Sequence, residues 1–175
     1  MLGENHHPLV QLARFAIEAY ICDGRTVRPS DAPVHVEGEP AGVFVTIHTA
    51  STSELRGCIG TIQPTETSLA QETINNAIAA STRDPRFAPM KPHELNDIEL
   101  DVSVLHPPEP ILSVDELDPA RYGVIVQRGY RRGLLLPDIP GIEDVETQVA
   151  YARLKAGLRP DEPVEMLRFK VEKYV

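Results

Sequence analysis

Cys58 stands two residues past Arg56 and between Gly57 and Gly60 in the run Leu55–Gly60 (LRGCIG). This run follows a strand-like stretch, Val43–His48. Glycines inside a strand pattern mark a bulge or a close approach to the backbone. On an extended strand, residues two apart share a face about 7 Å apart. A guanidinium so placed lowers a thiol pKa and makes the thiolate a nucleophile. Cys58 is therefore the candidate catalytic residue, with Arg56, Gly57 and Gly60 as candidate binding positions. The alternative is a packing role, because free cysteine is among the most buried residue types. Cysteine catalysis also needs a base. His48 is the nearest histidine in sequence, and it shares the face only if the hairpin pairs residues of like parity.

Arg83, Asp84 and Arg86 follow, in a loop stiffened by Pro85 and Pro89. Two arginines on rigid backbone can clamp an anion in a fixed fork. The other reading is an internal Asp84–arginine pair or a helix-end cap. Asp84 and Arg86 join the binding candidates, as the wall of a groove for a small anionic ligand. A third candidate, the basic run Arg128–Gly133, reads foremost as a solvated hairpin turn. No metal site is expected. His35, His48, His93 and His106 are isolated, and neither HExxH nor zinc-type Cys/His spacing occurs. No phosphate-binding P-loop, dinucleotide fingerprint or nucleophile elbow is present, so no cofactor is expected.

The elements that must position these residues follow from periodicity. Leu9, Leu12, Ala13, Ala16, Ile17 and Tyr20 define an amphipathic helix over about Pro8–Cys22. Arg28–Gly42 reads as a long loop, either a flap or the cover of a short strand. Val43–Thr49 and Glu54–Ile62 predict a hairpin. Thr67 or Ser68 caps a helix over about Ser68–Thr82 whose stripe is Ala70, Ile74, Ala77, Ile78 and Ser81. Alternation predicts a strand over Ile98–Leu105, a helical turn at Ser113–Leu117, and strands at Tyr122–Gln127 and Arg131–Leu136. A last helix carries Val145, Val149, Ala152 and Ala156 and closes at Gly157. Val164–Tyr174 reads as one strand. Clustered strands with few helices between them predict an α+β fold with a mostly antiparallel sheet.

The 175 residues suit one domain, with or without lobes. Hydrophobic residues make up 42%, enough for a core. The 26 acids against 17 bases give a net charge of −9, without a basic stripe, which argues against nucleic-acid binding. No apolar run approaches membrane-spanning length, and the first residues lack a leader pattern. A cytoplasmic setting with Cys22 and Cys58 reduced is the expectation.

Together the blocks resemble the AMMECR domain family, whose prokaryotic members are known as AmmeMemoRadiSam system protein A. The resemblance rests on Leu55–Gly60, Asn76-Ala77, Arg83–Phe87, Ile98–Pro110, Gly123–Val126, Arg132–Pro137 and Lys155–Leu158. It covers about residues 8 to 174. Many relatives carry a cysteine where Arg153 stands here, so a second cysteine role does not transfer. The resemblance implies a mixed, mostly antiparallel sheet with flanking helices, in two unequal lobes around a groove holding the hexapeptide. It further implies Memo-like and radical SAM partner proteins. It carries no settled activity. The expected role is a binding or accessory component of a multi-protein modification system. A stand-alone enzyme using Cys58 for acyl or thiol transfer, and a scaffold without a pocket, are the alternatives.

Overall fold

The structure is a computed structural model and describes residues 6–175. The described chain divides into two compact units, residues 6–105 with 172–175 and residues 106–171.

The first unit contains α1 (Pro8–Asp23), β1 (Gly42–Thr49), β2 (Leu55–Gly60), α2 (Leu69–Thr82) and β3 (Ile98–Leu105). The last strand, β8 (Val171–Tyr174), completes a sheet in the order β2-β1-β3-β8. β1 pairs antiparallel with both β2 and β3. Alternation gives the sheet one apolar face. Val43, Val45 and Ile47 are buried in one core with Leu12, Ala16 and Ile17 of α1 and Ile74 and Ala77 of α2. The other face keeps Thr46, His48, Cys58, Asp101 and Ser103 of the intervening positions.

α2 starts where expected, with the Ser68 hydroxyl accepting the Gln71 N–H at 3.1 Å. α1 is capped by His7. Its Nδ1 accepts the Leu9 N–H at 3.3 Å, and its ring stacks on Tyr174 at 3.9 Å. Residues 28–41 hold no strand, only a 3-10 turn at Pro29–Asp31, and β1 begins at Gly42.

The second unit contains β4 (Glu109–Ile111), β5 (Gly123–Arg128), β6 (Arg131–Leu135), α3 (Val145–Lys155) and β7 (Glu165–Phe169). Its sheet runs β4-β7-β5-β6, with antiparallel pairs throughout. Val124, Val126, Leu135 and Ala152 lie in its core. Gly157, at φ 66°, ends α3. Its N–H reaches the Leu154 carbonyl at 3.0 Å while Leu158 reaches that of Arg153 at 2.9 Å, the paired bonds of a Schellman cap. The α+β class is as read from the sequence, with the strands in two four-stranded sheets. The single strand expected over Val164–Tyr174 is two, because the chain leaves one sheet at Phe169 and enters the other at Val171.

Candidate functional site

The site is built on β2, an edge strand of the first sheet. Thr46 of β1 lies opposite Cys58 on one side and Asp101 of β3 on the other. The hairpin therefore pairs residues of like parity as far as Ile47. There the register shifts, and His48 pairs with Leu55. This bulge leaves Arg56 as the extra residue and turns its side chain. Arg56 reaches Glu94 through Nε at 2.7 Å and Nη2 at 3.1 Å, and the Ala88 carbonyl at 3.0 Å.

The Cys58 thiol is half-buried, with Sγ 3.6 Å from the Thr46 hydroxyl. Burial pushes its pKa up. The Thr46 contact and the Arg86 charge pull the other way, and Asp101 and Asp84 add to the rise. The lowered pKa expected from Arg56 is thus reversed: the bulge commits Arg56 to Glu94, and desolvation dominates at the sulfur. His48 places Nδ1 3.9 Å from Asp101 Oδ2. The side chain facing the thiol is a threonine hydroxyl, which cannot serve as a base at neutral pH.

Asp84 is the organising group. It follows the C-terminus of α2 and is 4% exposed. Its Oδ2 accepts the Cys58 N–H at 2.9 Å and Arg86 Nη2 at 2.7 Å. Its Oδ1 accepts the Arg86 N–H at 3.1 Å and Nε at 3.0 Å. The Arg86 fork, against the cost of burial and with both amides helping, holds this carboxyl well below the usual carboxylate range. The pair is internal, one of the two readings that the sequence allows. Even so, the Arg86 side chain is 55% exposed. Its Nη1 has no recorded acceptor among the described residues. Phe87 lies between the two cations, with the guanidinium carbons of Arg56 and Arg86 at 5.7 and 5.5 Å from its ring centre.

α2 locks the strand from beneath. A Cβ on Gly57 would collide with the Ala80 carbonyl oxygen, and one on Gly60 with the Phe44 ring. Gly57 and Gly60 thus let helix and ring close onto the strand. Glu72, 1% exposed, accepts four hydrogen bonds: from the hydroxyls of Thr61 and Thr65 and the amides of Thr65 and Glu66. Burial raises its pKa, but these donors outweigh that and hold it below the usual value. Asn76 donates to the Val43 carbonyl at 3.0 Å and to Thr61 at 3.2 Å. The sequence reading gives Glu72 no role: it lies opposite the stripe of Ala70, Ile74, Ala77, Ile78 and Ser81, where periodicity places a solvated acid, and only the fold shows it buried.

A separate cavity of about 500 Å³ in the first unit is lined by His48, Asp101, Glu99, His6 and the apolar Val10 and Ile98. Arg128 and Arg131 hold Glu162 at 3.1 and 2.6 Å, with the Gly129-Tyr130 turn between them. The third basic run is thus an ion-paired hairpin. Cys22 and Cys58 are free. Among the described residues, no three His, Cys, Asp or Glu side chains cluster as a metal site, and no helix is long and apolar enough to cross a membrane.

The family model described as AMMECR1 matches residues 10–174. The chain is 51% identical to a Thermotoga maritima chain described only as a protein, over 99% of both. It is 43% identical to a Methanopyrus kandleri protein, covering 87% of this chain and 77% of that one. It resembles the crystal structure of an uncharacterized protein from Pyrococcus horikoshii, with a TM-score of 0.84 and 38% identity over 94% of this chain and 88% of that chain.

Proposed function

The chain belongs to the AMMECR1 family, and from that premise and the site geometry we propose that it is a binding component whose ligand is anionic. Phosphate, sulfate or a carboxylate would dock at Arg86 beside Phe87, next to the Leu55–Gly60 strand. The observation that carries this reading is the Asp84–Arg86 fork. The carboxylate is buried and satisfied, while the guanidinium it orients through Nε and Nη2 stays half-exposed, with no acceptor for Nη1 among the described residues. A fixed fork with an open edge suits recognition of a planar or tetrahedral anion. Phe87 completes the surface, while Arg56 is committed to Glu94. The Cys58 amide ties the strand to the same carboxylate, so the hexapeptide is a rigid platform.

A stand-alone thiol enzyme is the lesser reading. The raised thiol pKa and the threonine opposite it supply neither nucleophile nor base. As a binding component, the chain would act with Memo-like and radical SAM proteins in a modification system, the metal chemistry residing on them. The test is a thermal shift with inorganic phosphate and sulfate. Wild type should gain stability by ligand linkage, and Arg86→Ala should lose that gain at unchanged secondary structure. An equal gain in both proteins would reject the site.

A further inference from the structure

We propose that the open side of α3 is a two-fold interface with a second copy of this chain. α3 buries Gln148 and Ala152 but leaves Ala150 and Leu154 exposed, Leu154 at 73%. Beside them is a groove of about 800 Å³, lined by Val145, Glu146, Val149, Ala150, Arg153 and Leu154 and closed by Val114 and Leu158. An exposed leucine at the edge of an apolar groove is a knob beside its own hole.

The order of these residues selects the occupant. Read along the helix, they run apolar, acidic, apolar, small, basic, apolar. Read backwards from a second antiparallel helix, the series complements itself. A two-fold axis between Val149 and Ala150 sets Val145 against the partner's Leu154, Glu146 against the partner's Arg153, and Val149 against the partner's Ala150. Such a self-complementary patch is what an isologous interface requires. Ala150 at the crossing lets the helices approach to about 8 Å. Glu146 and Arg153 lie seven residues apart, about 10 Å along the axis, so both charge pairs form at once and flank the apolar centre. Arg153 is already positioned, since Nη1 donates to the carbonyls of Arg159 at 3.0 Å and Glu162 at 2.8 Å. The charge pairs set register and orientation, and the leucine knobs supply apolar burial.

Sedimentation of the full chain across a wide concentration range tests this. Wild type should reach the dimer mass, and Leu154→Asp should remain monomeric. Glu146→Lys places like charges together twice, and should raise the dimer dissociation constant about tenfold or more. That penalty should shrink with added salt. Arg153→Glu should weaken self-association likewise, yet an equimolar mixture of the two charge variants should form a heterodimer, since both crossed pairs are then opposite in sign. A structural defect in either variant would not be repaired by mixing, and circular dichroism of each checks its fold. A wild type that is monomeric at every concentration, or a dimer indifferent to Leu154→Asp, would overturn the proposal. So would a monomer that takes up a fluorescent fatty acid through Leu154, which would make the groove a small-molecule site.

Discussion

Cys58 and Asp84 divide the work that a residue reading of the chain assigns to Cys58 and Arg56. The period-2 rule places Arg56 and Cys58 on one face, and the bulge at Ile47/His48 breaks that rule between them. Nothing in residue types alone announces a bulge next to an arginine. Asp84 was legible as a candidate from its place between arginines, but its bond to the Cys58 amide joins positions 26 apart and needs the fold. Two outcomes follow at this scale. With Cys22 replaced by serine, native Cys58 should alkylate more slowly than a free cysteine at neutral pH, because its raised pKa lowers the thiolate fraction. Thiol-labelling kinetics would read this, and native labelling faster than the free amino acid would reject it. Asp84→Asn removes the charge facing Arg86 and turns one acceptor into a donor opposite the fork. It should destabilise the protein by about 2 kcal/mol in urea melts, the upper part of a buried-pair loss being offset by solvent around the half-exposed guanidinium. A loss within experimental error would show that Asp84 is not the organiser.

The elements were legible where periodicity and caps agree. α1, α2 and β3 sit within a residue or two of their expected bounds, and Ser68 and Gly157 end their helices by hydrogen bonds that short motifs encode. β4 was missed because Pro110 lies within a proline-rich stretch. It is tolerated there because β4 pairs on one side only, with β7. The contact between β2 and α2 was half legible: glycines and small helix residues signalled close packing, but not which atoms meet. Gly57→Ala should therefore fail at the element level, since the added methyl meets the backbone of Ala80 rather than a movable side chain. A cost of about 1–3 kcal/mol is expected, together with loss of the phosphate response through displacement of β2. Full stability in a chemical melt would mean that helix and strand have room to part. Glu72→Gln should also destabilise in the same melts: with its carbonyl oxygen kept on the amides of Thr65 and Glu66, its NH2 replaces the oxygen to which the Thr61 and Thr65 hydroxyls donate, and Thr61 already accepts from Asn76.

Across the whole molecule the charges show one tendency. The net charge of −9 marks a chain rich in carboxylates, and those on which the structure depends are held ionised by partners: Asp84 and Glu94 by arginines, Glu72 by hydroxyls and amides, and Glu162 by Arg131, which brings it down to about 2. For each of these, the folded pKa lies below the unfolded one. The unfolded chain then binds more protons in the acid range. The stabilisation is full above the unfolded carboxylate pKa of about 4 and is lost as pH falls through the folded values. Cys58 acts at the other end. Its folded pKa is raised, so its contribution is present below the unfolded thiol value and is lost as pH rises through the folded one. The melting temperature should accordingly hold a plateau from about pH 5 to 8, fall on the acid side, and fall more gently on the alkaline side. Each flank can be assigned by substitution. Glu162→Gln should flatten part of the acid fall while lowering the plateau, and Cys58→Ala should remove its own part of the alkaline fall without altering the acid one, leaving the part that the raised Tyr174 phenol adds at higher pH. A Cys58→Ala profile that keeps the full alkaline fall would mean that the thiol is solvated as a free cysteine is. The packing role argued from its burial and its threonine contact would then be withdrawn.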